Sequence, residues 1–340
     1  MRLTLCCGAS RLSSIVALAV ALVLCIGTTA AQTAGFRFID IPADAEGPAI
    51  HGAMWTPCAE PAAEIDLGNV TMPGVKDCPI VGDKLPLVVI SHGAGGNFVN
   101  FHDMAETLAD AGFIVAAIDH PGNTSSDMSR IGDISSLIER PEDIKRLIDF
   151  MLDASPAAAS IDSARIGFFG FSRGGYTGLM LAGGIPDWAA ADRFCKESSL
   201  RACEQLRDRQ AVDQQLAYQD ARIRALVVAD PGFRIGTLVF SFVPDSLAAI
   251  KVPVQLWASQ YAGDGLFPEH VAAVDKSLPT RHEHRLVASA GHFAFTLCLP
   301  GLAERRPELC IDAPGFDRVA FHKQLDADVL AFFQTQLTGL

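Results

Sequence analysis

The strongest chemical signal in the chain is Gly170-Phe171-Ser172-Arg173-Gly174-Gly175, a G-x-S-x-G turn. An apolar run, Ile166 to Phe169, precedes it and an apolar helical-looking segment, Tyr176 to Ala182, follows, so the order reads strand, sharp turn, helix. Such a turn holds serine in a cramped backbone conformation, and its glycines let strand and helix pass without collision. The hydroxyl is lifted clear of the sheet edge, and the following helix points backbone N–H groups at the same spot. Serine is a weak nucleophile until a neighbouring base takes its proton. That base must sit on another loop at the carboxyl end of a strand. Of nine histidines, His292 in Ala290-Gly291-His292-Phe293 lies just past the last predicted strand and after the serine in chain order. His92 and His120 also end strands but precede the serine. The other histidines stand in less suitable contexts.

A third group must orient the imidazole and stabilise its charged form. Asp264, in Gly263-Asp264-Gly265-Leu266-Phe267-Pro268, follows the predicted strand from Val252. Asp230, in Ala229-Asp230-Pro231-Gly232, follows the strand before it. Both satisfy the order nucleophile, acid, histidine; Asp264 is favoured, Asp230 is the alternative and Glu269 a distant third. The remaining aspartate would be an ordinary cap or turn residue. A tetrahedral intermediate needs donors aimed at its oxyanion. The N–H of Arg173 is one candidate, and the N–H of Ala94, in His92-Gly93-Ala94-Gly95-Gly96, is the other. A phosphate-cradling reading of that glycine turn lacks the required Lys and Ser/Thr. Phe98, Phe171, Phe233 and Phe267 are expected to line an apolar acyl or alcohol pocket, with plain core packing as the competing reading.

The elements that must carry these residues are legible as buried runs alternating with helices. Leu85 to Ser91, Phe113 to Ile118, Ile166 to Phe169, Ala225 to Ala229, Val252 to Ala258 and His284 to Ala288 read as strands. Helices are predicted at Met104 to Ala111, Pro141 to Asp153 and Val319 to Leu337. In the second, Ile144, Leu147, Ile148, Met151 and Leu152 form one apolar stripe. This pattern predicts an α/β fold with a mostly parallel central sheet covered by helices on both faces. Two short opening strands, Phe36 to Ile41 and Ile50 to Trp55, read as a hairpin. Cys58 to Lys84 reads as an irregular stapled loop, and 185–222 as a small helical cap-like insertion within the 32–340 domain.

Arg2 and Arg11, the apolar run Ile15 to Ile26 and Thr29-Ala30-Ala31 read as a secretory signal peptide over residues 1–31, too short in its apolar part to span a bilayer. Localisation is therefore expected to be secreted or periplasmic, with no stable membrane span after signal removal. At 49% hydrophobic and 19% charged the chain is globular. Its formal charge of -12 makes nucleic acid a poor partner. Three of the nine cysteines fall in the signal region. The other six form three local pairs, which predicts disulfides Cys58–Cys78, Cys195–Cys203 and Cys298–Cys310.

Six segments together resemble the α/β-hydrolase superfamily: Ser91 to Asn97, Asp119 to Asn123, Arg140 to Ile144, Gly170 to Gly175, Val252 to Trp257 and Gly291 to Phe293. Within it the chain is similar to bacterial predicted dienelactone hydrolases, to platelet-activating-factor acetylhydrolases and, more distantly, to cutinase-like esterases. The resemblance implies a triad of Ser172, Asp264 and His292 without metal or organic cofactor. It departs from authentic dienelactone hydrolases, whose nucleophile is cysteine. In the acetylhydrolases the acid follows the earlier strand, which keeps Asp230 open as the alternative; the D-x-x-x-P spacing from Asp264 to Pro268 matches the cutinase-like pattern and supports Asp264. The expected function is hydrolysis of a small-molecule or lipid-like carboxylic ester (short-acyl or polyester substrates included) through an acyl-enzyme on Ser172. A serine peptidase on the same fold and a non-catalytic binding protein that keeps the fold are the alternatives. A metallohydrolase built on Asp119, His120 and His102 is a further one.

Overall fold

The computed structural model describes residues 33–68, 70–208, 218–261 and 268–339. The predicted signal segment lies outside them. Twelve strands are found among the described residues: β1 (Thr33–Ile41), β2 (Ile50–Cys58), β3 (Ala63–Asp66), β4 (Thr71–Lys76), β5 (Leu85–Ser91), β6 (Ile114–Ile118), β7 (Ile161–Phe171), β8 (Ile223–Ala229), β9 (Phe233–Ile235), β10 (Leu238–Phe240), β11 (Val254–Tyr261) and β12 (Glu283–Gly291). Ten of them form one sheet in the order β12-β11-β8-β7-β5-β6-β2-β1-β4-β3. From β12 to β6 every pair is parallel. β2 joins β6, and β1 joins β2, antiparallel.

Consecutive residues of a strand face opposite sides of the sheet, and here both sides are covered. Leu87, Val89 and Phe168 contribute to one apolar cluster, while Val88, Ile90 and Phe169 contribute to the other. The first cluster is roofed by helices α2 (Ser135–Asp153) and α3 (Arg173–Leu181), and the second by α1 (His102–Asp110) and the last long helix, Arg318–Phe333. Strands buried on both faces must be apolar throughout, which is why the sequence shows unbroken runs here.

Two sequence expectations change. The segment Cys58 to Lys84 is no irregular loop: β3 and β4 form a hairpin inside it, and β4 pairs parallel with β1 at the sheet edge. Strands this short, one containing Pro73 and Gly74, give little periodic signal. Helix α2 starts at Ser135, six positions before the predicted start, with Pro141 in its interior. Its first turn is tied down by tertiary contacts, among them Ile134 N–H to Gln205 Oε1 at 3.0 Å, and these override the preference of proline for a helix start. The stretch from 185 onward carries α4 (Trp188–Cys195) and α5 (Arg201–Asp208). Ala191, Cys195, Ala202 and Cys203 are buried within the first apolar cluster, so these helices pack into the body of the molecule. Residues 209–217 lie outside the described ones.

Three disulfides link Cys58 to Cys78, Cys195 to Cys203 and Cys298 to Cys310, with Cα–Cα separations of 6.0, 5.1 and 5.4 Å. The remaining helices are α6 (Pro244–Ala248), α7 (Pro268–Ser277), α8 (Pro300–Arg305) and α9, the Arg318–Phe333 helix introduced above. Among the described residues no helix is long and apolar enough to cross a membrane.

Candidate active site

The parallel strands deliver their next residues to one edge of the sheet. Phe171 pairs with Ala229, and Ala229 with Trp257, so Ser172 and Asp230 are the first residues beyond adjacent strands. Tyr261 pairs with Gly291, which places His292 one step beyond β12. Ser172 N–H donates to the Ala229 carbonyl at 2.8 Å, and Asp230 N–H to the Trp257 carbonyl at 2.9 Å, so the ladder carries on into the site.

Ser172 has φ 53° and ψ -116°, a left-handed conformation in which a side chain is strained. The glycines beside it serve close approach. A Cβ on Gly174 would lie 2.0 Å from the Ser91 carbonyl oxygen, and one on Gly170 would lie 2.4 Å from the Gly174 oxygen. Strand β5 and the start of α3 therefore touch backbone to backbone beneath the serine.

Around that turn the side chains form a line. His292 Nε2 lies 3.0 Å from Ser172 Oγ, and His292 Nδ1 lies 3.1 Å from Asp230 Oδ2. Asp230 is wholly buried. Its Oδ1 accepts the Ser259 N–H at 2.7 Å, and its Oδ2 accepts the Ser259 hydroxyl. With those acceptors engaged, the carboxylate fixes the tautomer that carries its proton on Nδ1 and turns an unprotonated Nε2 toward the serine hydroxyl. The Phe171 ring lies against the imidazole, with centroids 4.7 Å apart. The acid beside His292 is thus Asp230, the alternative of the sequence reading. The favoured Asp264 lies outside the described residues, and the Nδ1 position is taken.

A cavity of about 190 Å³ opens on the serine, lined by Ala94, Phe171, Ser172, Arg173, Gly232, Arg234, His292 and Phe293. Ala94 and Arg173, the predicted oxyanion donors, both border it. Neither backbone N–H has a hydrogen-bond partner among the described residues. The expected phenylalanine pocket is only partly present. Phe171 lines the cavity, but Phe233 is buried beneath the Arg173 guanidinium, 4.3 Å from ring centre to guanidinium carbon. Phe98 instead lines a separate cavity of about 300 Å³ with Phe38 and Asp119, and Phe267 lies outside the described residues. Burial raises the Asp119 carboxyl to about 6. Ser259, Arg234 and Phe293 were missed from the sequence. Ser259 falls two residues past Trp257, and only the strand register could have found it.

Behind the glycine turn lies a second buried polar group. His120 Nε2 meets Ser91 Oγ and its Nδ1 meets Asp143 Oδ2, each at 2.9 Å. Both ring nitrogens are occupied by these partners, His102 Nδ1 is bonded to Glu106 Oε1, and Asp119, His120 and His102 form no metal-holding cluster among the described residues. Burial, then the Arg140 and His92 charges, push the His120 pKa well below its usual value. Burial likewise lowers His92 to about 3, with Arg140 adding to the effect, and raises Asp143 to about 7. Both imidazoles are accordingly neutral near pH 7.

A mostly parallel sheet with helices on both faces, carrying a strained serine at the β7–α3 turn and a histidine past the last strand, is the α/β-hydrolase fold. The comparisons agree. The serine aminopeptidase (S33) family model matches residues 82–194. Platelet-activating factor acetylhydrolase of Cavia porcellus is 24% identical over 151 residues, covering 32% of this chain and 35% of that protein. The acetylhydrolase of Canis lupus familiaris is 42% identical over 60 residues, 17% of this chain and 14% of that protein. The chain thus spans about a third or less of these relatives' length. Among solved structures, a ferulic acid esterase from Streptomyces cinnamoneus superposes with a TM-score of 0.60 at 21% identity, covering 92% of both chains.

Proposed function

We propose that the chain is a serine ester hydrolase acting through Ser172, His292 and Asp230. The observation that carries this reading is the continuous line from Ser172 Oγ through the His292 ring to the buried Asp230 carboxylate. In it, Ser172 Oγ attacks the acyl carbonyl while His292 Nε2 takes its proton. The N–H groups of Ala94 and Arg173 receive the oxyanion. His292 then returns the proton to the leaving alcohol, and the same imidazole activates the water that releases the acyl group.

The cavity of about 190 Å³ is smaller than the pockets that enclose drug-sized ligands, so the proposed substrates are carboxylic esters with a short or compact acyl group. The names of the relatives, two acetylhydrolases and a ferulic acid esterase, fit ester chemistry. Export is proposed with it, because three disulfides suit an oxidising compartment.

Hydrolysis of p-nitrophenyl esters from acetate to palmitate, by the protein and by Ser172→Ala, tests the reading. The expected result is a peak at short chains and loss of about 10⁴-fold or more in the variant. An amino-acid p-nitroanilide run alongside covers the peptidase reading that the matched family description favours. Turnover that survives Ser172→Ala refutes the mechanism.

A further inference from the structure

The donor Ala94 N–H belongs to the peptide that joins Gly93 to Ala94. In a trans peptide the carbonyl and the N–H point in opposite directions within one plane, and the described chain contains no cis peptide. Whatever grips the Gly93 carbonyl therefore aims the Ala94 N–H. Three groups converge on that oxygen. His92 Nδ1–H donates to it at 2.6 Å, Arg140 Nη2 at 3.2 Å and Gly96 N–H at 3.2 Å. Arg140 is almost wholly buried, so the carbonyl faces inward and the N–H faces the cavity that Ala94 shares with Ser172.

Arg140 is itself fixed as a fork. Nη1 donates to the His92 carbonyl at 2.8 Å, and Nη2 also reaches Asn123 Oδ1 at 3.1 Å. The His92 ring is held from its far side by the His120 N–H, which donates to Nε2 at 3.2 Å. His120 is in turn clamped between Ser91 and Asp143. None of these side chains borders the cavity at Ser172. The serine-hydrolase mechanism leaves this buried set of two histidines, an arginine and an aspartate without a task.

We propose that Arg140, together with His92 braced by the Ser91–His120–Asp143 chain, is a positioning residue that aims the Ala94 N–H at the oxyanion. The proposal rests on the serine-hydrolase reading above and deepens it. Arg140 acts through a peptide plane and never touches substrate. A lysine at 140 keeps the charge, but its donors radiate from one nitrogen and cannot reproduce the planar fork whose Nη1 serves the His92 carbonyl while Nη2 serves the Gly93 carbonyl and Asn123.

The test is Arg140→Lys, with active sites counted by the p-nitrophenolate released on stoichiometric reaction with diethyl p-nitrophenyl phosphate. Loss of a preorganised oxyanion donor costs on the order of 10²- to 10³-fold in kcat, and misaiming one should approach the lower figure. The expected result is a fall in kcat per counted site of roughly 30- to 100-fold, with KM changed less than about threefold. The inhibition constant of a trifluoromethyl ketone, whose serine adduct carries a full oxyanion, should weaken by the same factor. A merely structural role would lower the number of counted sites and leave kcat per site alone.

Asn123→Ser, which removes one acceptor of Arg140, serves as a milder variant if Arg140→Lys does not fold. It should show a smaller loss with the same parallel between kcat and ketone binding. Per-site kcat within twofold of wild type in the folded variants overturns this proposal alone. A wild type with no Ser172-dependent turnover overturns the hydrolase reading and the proposal with it.

Discussion

Replacing Asp230 by Asn alters one atom of the line and has a calculable consequence. The carboxylate is wholly buried, and its Oδ1 accepts the Ser259 N–H at 2.7 Å. In the variant the amide oxygen keeps that bond, so the amide nitrogen falls where Oδ2 was, 3.1 Å from His292 Nδ1. Two N–H groups cannot face each other there. The imidazole must adopt the tautomer with a bare Nδ1 and a protonated Nε2. At 3.0 Å from Ser172 Oγ, that nitrogen then donates to the hydroxyl and can no longer accept its proton. Loss of the tautomer in a serine-histidine-aspartate site lowers kcat by about 10⁴, or ~5 kcal/mol of barrier. The assay is kcat/KM on p-nitrophenyl butyrate, with circular dichroism to show that the near-isosteric variant folds. Asp264→Ala, measured beside it, should change turnover less than about threefold. An Asp230→Asn protein within tenfold of wild type, or a collapse on Asp264→Ala, would refute the reasoning.

Gly174→Ala should be severe without touching a reacting atom, since its Cβ would lie 2.0 Å from the Ser91 oxygen and 2.9 Å from the His92 oxygen. Both are backbone atoms and cannot rotate away, so urea unfolding should show a loss of about 3 kcal/mol or more; a wild-type midpoint would contradict the packing described. Asp326 gives a pH signature. Burial first, then the charges of Asp103 and Glu106, raise its carboxyl from 3.8 to about 8, and its Oδ1 is buried without a partner. The unfolded chain ionises this group from about pH 4 upward while the folded chain holds its proton, so stability falls as pH climbs from about 4 to about 8. Asp326→Asn should therefore raise the unfolding free energy at pH 8, by on the order of a few kcal/mol, and leave it nearly unchanged at pH 4. Equal shifts at both pH values would sink that account.

The central strands were legible because a strand buried on both faces has to be a continuous apolar run, as Val88-Val89-Ile90 and Val227-Val228-Ala229 are. The serine turn and His292 were legible because their glycine neighbours and chain order are local. The acid was not. Asp230 and Asp264 both follow strands in the right order, and only the strand register, which sets Asp230 beside Ser172, together with the 3.1 Å contact from His292 Nδ1 to Asp230 Oδ2, tells them apart. The role of Arg140 was equally opaque, since the sequence marks it only as the residue before the helix predicted from Pro141. Its burial comes from carbonyls supplied 47 and 48 residues away in the chain, a relation no local pattern carries. The β3–β4 hairpin escaped because its strands are short and lie at the sheet edge, where apolar periodicity is weak.

The pairing of Phe171 with Ala229 also works as a ruler. Because Ser172 and Asp230 each continue a hydrogen-bonded rung, the gap between them equals the spacing of neighbouring strands, about 4.8 Å per step. No intervening loop sets it. The helices α4 and α5 between α3 and β8 therefore do not set the distance from serine to aspartate; their buried residues Ala191, Cys195, Ala202 and Cys203 serve the first apolar cluster instead. Natural variation in accepted substrate should accordingly gather at cavity-lining positions outside the ten-stranded sheet, such as Arg234 and Phe293, while the sheet keeps the distances.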